Sequence, residues 1–253
     1  MKPEQIDALI ALVLKAGVEV MRHYDDGCDT RRKGDGSPVT DADVAAEGIL
    51  LAGLAEIAPD VPALSEEQVE LGNFPDISNG HFWCIDPVDG TKEFINRSGE
   101  FTICLGYIED GAAVGGLLHS PALGRTFVGL KGWGAIEVLA DGTRKPIHVR
   151  ARPAEGQIAL VSRSHHSGKL LDDFIAKEKA EPRVVGSALK FGLIAAGEAD
   201  LTARTGPTCE WDTCAGQAVL EAAGGSVTTM DGIPLAYGKP GFRNPGFIAR
   251  GGV

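Results

Sequence analysis

The sequence predicts a two-lobed protein of mixed α and β structure, with an α+β lobe over residues 1–150 and a smaller α/β lobe over residues 151–253. Three observations predict it. Two amphipathic helical segments open the chain, strand-length apolar segments separated by Asp-Gly turns follow, and beyond about residue 150 strands and helices alternate. The hairpin turns make the first sheet mainly antiparallel, with the helices flanking it. A chain of 253 residues with 43% hydrophobic content can bury cores of this size.

Ile6, Leu9, Ile10, Val13, Leu14, Val20 and Met21 recur at helical spacing, which predicts a helix from about residue 4 to 24. The polar stretch from Asp25 to Ser37 holds three glycines and reads as a loop. Thr40 is placed to cap a second helix with Asp41 and Asp43 in its first turn; Val44, Leu51, Leu54 and Ile57 form the expected buried stripe. Strands are predicted at Phe82 to Ile85, Phe101 to Ile108, Ala112 to Leu118, Thr126 to Leu130 and Ala135 to Leu139, with Asp110-Gly111 and Asp141-Gly142 as hairpin turns. The second lobe reads as a strand at Ile158 to Val161, a helix near Leu170 to Lys179, and a strand at Val184-Val185. Helices near Leu189 to Ala196 and Asp212 to Ala223 complete it. No Pro- or Ser-rich linker divides the lobes, so they are expected to pack closely.

A formal net charge of −11 argues against binding long nucleic acid, which needs clustered Lys and Arg. An acidic protein with a phosphate ligand needs local neutralisation, and divalent cations held by carboxylates provide it. The five cysteines show no paired C-x-x-C spacing and read as reduced thiols. The N-terminal helix is interrupted by Asp7, Lys15 and Glu19, so neither a signal peptide nor a membrane span is expected. The expected compartment is the cytoplasm.

The most informative segment is Trp83-Cys84-Ile85-Asp86-Pro87-Val88-Asp89-Gly90-Thr91, an apolar strand that ends in two aspartates and a glycine turn. Carboxylates at a strand end are costly unless paired or metal-bound. Asp86, Asp89 and the Val88 carbonyl can be aimed at one region, and such hard oxygen donors favour Mg2+ over zinc. A helix starting near Thr91 would point free amides there, fit for a phosphate oxygen. Alone, the pentapeptide reads equally as a sharp turn with solvated acids. Two further acidic clusters accompany it: Leu64-Ser65-Glu66-Glu67 after a short apolar strand, and Glu210-Trp211-Asp212-Thr213 at a helix start.

These residues resemble the two signatures of the inositol monophosphatase superfamily: Asp86-Pro87-Val88-Asp89-Gly90-Thr91 followed by Phe94, and Trp211-Asp212 ahead of a small-residue helix. Further segments are similar to its bacterial bisphosphate-nucleotidase branch. They include Ser37-Pro38-Val39-Thr40, Gly99-Glu100-Phe101-Thr102, Ser162-Arg163-Ser164-His165 and Gly186-Ser187-Ala188-Leu189-Lys190-Phe191, and the likeness extends to Asn244-Pro245-Gly246-Phe247. The resemblance implies a layered αβαβα sandwich, the sugar-phosphatase fold, acting on a small phosphate ester as a monomer or homodimer. It implies Mg2+ as cofactor, two or three ions per site, with Li+ inhibitory. Glu66, Asp86 and the Val88 carbonyl would hold one ion, and Asp86, Asp89 and Asp212 a second; a weaker third would lie near Glu66.

By the same resemblance Asp43 and Thr91 would position and deprotonate the attacking water, with Glu67 in support, and the amides of Gly90 and Thr91 would grip the scissile phosphate. Ser187, Lys190 and Arg204 would hold the non-reacting phosphate and sugar of a nucleoside bisphosphate, and His165 the base, although His166 beside it leaves that assignment open. The implied reaction is hydrolysis of the 3'-phosphate of adenosine 3',5'-bisphosphate to AMP, extending to its phosphosulfate analogue, in sulfur assimilation. Relatives of this kind also imply an alternative address on the cytoplasmic face of the inner membrane, yet no basic amphipathic anchor is visible. Two rivals stay open: inositol phosphate or fructose 1,6-bisphosphate as substrate on the same metal core, and a binding protein without catalysis.

Overall fold

The computed structural model describes residues 1–34, 36–163 and 168–252. A single 3-10 turn, Pro3–Gln5, leads into α1 (Ile6–Asp26), which buries Leu9, Ile10, Val13 and Val20 as the spacing predicts. Leu14 instead faces solvent, because Leu12 and Ala16 complete the buried stripe. The predicted loop from Asp25 to Ser37 contains a strand, β1 (Thr30–Arg32), which pairs antiparallel with β2 (Pro38–Thr40). Both strands of this hairpin are short, and β1 is fully exposed, so apolar patterning carries no signal for them.

Thr40 caps α2 (Asp41–Ile57) as expected: its backbone N–H and its hydroxyl both donate to Asp43 Oδ2, at 2.8 and 2.6 Å. The buried face of α2 is rotated from the predicted one. Ala42, Ala46, Leu50 and Leu54 point inward and Val44 is exposed, because small alanines let α2 lie close to α1. β3 (Ala63–Ser65) and the short α3 (Glu66–Glu70) follow. Next come β4 (His81–Asp89), α4 (Thr91–Ile95), β5 (Thr102–Glu109), β6 (Ala112–Ser120), β7 (Arg125–Leu130), β8 (Gly134–Leu139) and β9 (Arg144–Pro146).

Strands β3 to β9 form a seven-stranded sheet in chain order, antiparallel except for the β3–β4 pair. Its central strands are buried on both faces. Trp83, Ile85, Ile103 and Leu117 pack under α1 and α2, while Phe82, Cys84, Cys104 and Leu118 face the opposite way.

The second half contributes β10 (Gln157–Val161), α5 (Lys169–Glu178), β11 (Ala180–Val184), α6 (Leu189–Ala195), β12 (Leu201–Arg204), β13 (Thr208–Cys209), α7 (Cys214–Ala222), β14 (Ser226–Thr229), β15 (Arg243–Asn244) and β16 (Phe247–Arg250). Five of these strands make a mixed sheet ordered β11-β10-β12-β16-β14. Helices α6 and α7 share a core with both sheets, and α5 covers the far face through Leu171 and Ile175. The layers therefore run α1/α2, seven-stranded sheet, α6/α7, five-stranded sheet, α5: an αβαβα sandwich. Among the described residues no helix is long and apolar enough to cross a membrane.

Candidate active site

The site forms where β4 ends. Pro87 has no N–H for the ladder, and the pairing of β4 with β5 shifts register between Asp86 and Asp89. Val88 N donates to Asp86 Oδ1 at 3.0 Å, which fixes that carboxylate. Gly90 then adopts φ +92°, and a Cβ there would lie 3.1 Å from Ser187 Cβ, so both conformation and space call for glycine.

Asp212 arrives from the other side of the sheet. It closes a 3-10 turn ahead of α7 and accepts from Cys209 N at 2.8 Å. Glu210 in the same turn is fully buried and accepts from Gly238 N and Lys239 N, at 2.7 and 2.9 Å, so it anchors the turn from behind. Helix α7 approaches the sheet along a lane of three glycines, Gly106, Gly116 and Gly129, which stand opposite one another in β5, β6 and β7. A Cβ at these positions would come within 2.5 Å of Cys214 Sγ, 2.3 Å of Ala215 O and 2.5 Å of Val219 Cα, respectively. The lane thereby sets how near Asp212 comes to β4.

One oxygen each from Asp86, Asp89 and Asp212 lies within 4.8 Å of the others, a grouping that could hold a metal ion. Burial, reinforced by the neighbouring acids, pushes Asp86 well above the carboxylate range. Burial raises Asp89 to about 6 and Asp212 to about 8, the latter with further help from Asp89 and Glu66. Like charges buried this close resist ionisation unless a cation joins them. The donors are all hard oxygens, a set suited to Mg2+-type ions.

Glu66 lines the same cavity, of about 270 Å³, but stands outside the three-aspartate group. It binds Lys33 Nζ at 2.5 Å, and Glu67 binds the same ammonium at 2.6 Å. Burial drives Glu67 up to about 7 with Lys33 opposing, since one ammonium does not compensate two carboxylates. Asp43 is buried, its pKa raised to about 6 chiefly by desolvation, and Thr91 Oγ1 donates to its Oδ1 at 3.4 Å. Thr91 Oγ1 also lies 3.3 Å from the Val88 carbonyl, so Asp43, Thr91 and Val88 form one chain beside the aspartates.

Across the cavity, Ser187 sits at φ +54° with its hydroxyl accepting from Leu189 N at 3.1 Å. Lys190 donates to the Val185 and Ser187 carbonyls; burial lowers it to about 8, against the pull of Asp89. Among the described residues, Arg204 reaches the Pro207 carbonyl at 3.5 Å and its buried Nε has no partner. His165 and His166 lie outside the described residues.

Three contributors escaped the sequence reading. Lys33 falls in a stretch that reads as a solvated loop. Glu47 joins α2 to the Glu66 segment through Ser65 Oγ and through Gln68 Nε2 at 2.8 Å. The glycine lane becomes visible only once three strands are set in register.

The sequence matches the family model described as the Inositol monophosphatase family over residues 2–246. It is 39% identical to the 3'(2'),5'-bisphosphate nucleotidase CysQ of Escherichia coli K12, over 96% of this chain and 98% of that one. The crystal structure of CysQ from Bacteroides thetaiotaomicron superposes with a TM-score of 0.81 at 32% identity, covering 98% and 97% of the two chains. The Thermotoga maritima IMPase gives a TM-score of 0.79 at 27% identity, covering 98% and 92%. With a close structural superposition and a family match across nearly its whole length, the chain belongs to the inositol monophosphatase family.

Proposed function

We propose that this chain is a Mg2+-dependent 3'(2'),5'-bisphosphate nucleotidase that converts adenosine 3',5'-bisphosphate to AMP and phosphate. The observation that carries this reading is one cavity with two chemistries: the carboxylates of Asp86, Asp89 and Asp212 on one wall, which form no ion pair among the described residues, and Lys190 with Arg204, whose buried Nε has no partner among the described residues, on the other. A substrate with a reacting phosphate and a second anionic group meets both walls. The 39% identical nucleotidase of E. coli supports the same substrate class.

Asp86, Asp89, Asp212, Glu66 and the Val88 carbonyl would hold the metal, which when bound supplies positive charge at the phosphate and a more acidic water. Asp43, raised to about 6, is suited to accept a proton from that water, with Thr91 fixing the geometry. Glu67 supports Glu66 through their shared lysine. The amides of Gly90 and Thr91 would bind the scissile phosphate, and Arg204, Lys190 and Ser187 the distal one. The two halves, residues 1–150 and 151–253, would then divide the work into metal binding and substrate selection, with Asp212 crossing between them. The reading extends to the phosphosulfate analogue, to Li+ as inhibitor and to a cytoplasmic enzyme.

A phosphate-release panel tests it: adenosine 3',5'-bisphosphate, inositol 1-phosphate and fructose 1,6-bisphosphate, each with Mg2+ and with EDTA. The expected result is Mg2+-dependent release, fastest from the bisphosphate nucleotide. Faster release from inositol phosphate would move the assignment to that substrate, and no release from any would leave a binding protein.

A further inference from the structure

We infer that Glu100 is a positioning residue: its carboxylate holds the turn from Gly186 to Ala188, and through that turn the Lys190 ammonium, in place for the non-reacting phosphate. Glu100 lies in the first half of the chain, just ahead of β5, and one oxygen of its side chain collects three bonds from the second half. Glu100 Oε2 accepts from Gly186 N at 3.0 Å, and from Arg163 Nη2 and Nε at 2.9 and 3.2 Å. Arg163 and Gly186 follow β10 and β11, which run parallel with Val161 opposite Val184. The acid thus closes the carboxyl ends of two parallel strands, the end at which open α/β sheets present their ligands.

The turn is strained at one residue. Ser187 takes φ +54°, a conformation that a non-glycine residue keeps only where its surroundings impose it. The peptide N–H groups of both flanking residues are tied to acids of the first half, Gly186 N to Glu100 and Ala188 N to Asp89. The turn also lies close against that half: a Cβ on Gly186 would come within 2.6 Å of Glu93 Cγ and 2.8 Å of the Glu100 carbonyl oxygen. Lys190 Nζ donates back to the Ser187 and Val185 carbonyls, so the turn and the ammonium form one unit. Ser187 and Lys190 line the cavity, and Glu100 stands behind them. A carboxylate near an anion repels it, so what Glu100 contributes to binding is the position of the turn.

This inference rests on the substrate reading above, and it is tested first without turnover. AMP carries the non-reacting phosphate alone, and calorimetric titration of AMP into the Mg2+-loaded chain reads that half of the site. Glu100→Ala should weaken AMP binding roughly tenfold. Glu100→Gln, whose amide oxygen can still accept from Gly186 N, should stay within about threefold of the parent. In turnover, Glu100→Ala should raise KM for adenosine 3',5'-bisphosphate by a similar factor while kcat holds; for adenosine 3'-phosphate, which lacks the second phosphate, KM should not move. Glu100→Asp, which keeps the charge but withdraws the oxygen by one methylene, serves the same comparison if the alanine variant folds poorly. Unchanged or tighter AMP binding in Glu100→Ala, or an equal rise in KM for the one-phosphate substrate, would overturn the inference. A parent chain that binds AMP but releases no phosphate from the bisphosphate would sink the proposed substrate and leave the inference to the AMP comparison. A parent chain that binds no AMP would overturn both.

Discussion

Two parts of this molecule bury carboxylates, and they do so with opposite electrostatic outcomes. On β8, the side chain of Glu137 is fully buried, yet Arg125 reaches one of its oxygens and Lys145 the other at 2.8 Å. Burial alone would raise Glu137; the hydrogen bonds from these two cations outweigh it and hold the acid below its ordinary value. Asp86 is buried and Asp89 and Asp212 are half-buried, but among the described residues they form no ion pair, and all three are pushed upward. Burial of an acid is therefore not what marks a functional centre. What marks it is burial without a resident cation, because the fold then gains by recruiting one.

Substitution separates the two kinds of acid most sharply. Asp89→Asn should lower Mg2+-dependent turnover at least ~100-fold, more than loss of a residue that merely supports a metal ligand. It should leave thermal stability of the ion-free chain unchanged or improved, since a repulsive charge is removed. Glu137→Gln should do the reverse: a loss of about 1–2 kcal/mol in stability, from weakening the bonds that Arg125 and Lys145 donate to a charged acceptor while Arg125 keeps Glu198, with turnover unaffected. Phosphate release and thermal unfolding on the two variants check both halves. A turnover loss in Glu137→Gln matching that of Asp89→Asn would break the distinction.

The two faces of the seven-stranded sheet sharpen the same contrast at the level of packing. Under α1 and α2 the sheet presents large side chains such as Trp83 and Leu105, whereas under α7 it presents Gly106, Gly116 and Gly129. Gly116→Ala should cost about 1–3 kcal/mol by forcing α7 outward. Because α7 follows Asp212 directly, Mg2+ affinity should fall with it. Gly53→Ala, on α2, meets the flexible end of Leu12 at 2.3 Å, so it should cost stability while leaving Mg2+ affinity intact. Calorimetry with MgCl2 on both variants distinguishes a glycine that sets site geometry from one that only packs.

How much of this was legible in the sequence follows from what each residue's neighbours are. Asp86, Asp89, Glu66 and Asp212 stood out as a group, because three acidic clusters at strand or helix ends suit one metal site, whereas each alone reads as well as a solvated surface. The hairpin turns at Asp110-Gly111 and Asp141-Gly142 were legible because positive φ restricts which residues fit; Asp110 and Gly111 take φ of +50° and +78°. Lys33 was not legible, because a lysine among glycines and charges has the same local pattern whether solvated or buried against two acids. The face of α2 was misread because helical periodicity was scored on large residues, whereas alanines do the packing. Strands β12, β14 and β16 went unread because their pairing joins segments far apart in the chain, and no local pattern records it.

The smallest expected effect is in pH dependence, and its sign follows from the same uncompensated acids. Asp89 and Asp212 rise from an ordinary 3.8 to about 6 and about 8 in the folded chain. Between pH 4 and 8 the ion-free folded state thus binds more protons than the unfolded one, so their stabilising contribution is complete below pH 4 and is lost as pH climbs through 8. His119 runs the other way: buried and hydrogen-bonded to Thr126 at 2.9 Å, it is lowered to about 4, so its contribution is lost as pH falls below 6.5. Above pH 6.5 the lowering of Lys190 to about 8 and of the Met1 amino group to about 5 in the folded chain opposes the acids. The effect of Mg2+, rather than the slope of the ion-free chain, therefore singles the acids out. Metal ions replace protons on those acids, so Mg2+ should raise the melting temperature more at pH 8 than at pH 6.5, measured against EDTA controls. An equal rise at both pH values would mean the aspartates are already ionised without metal, and they would then be no different in kind from Glu137.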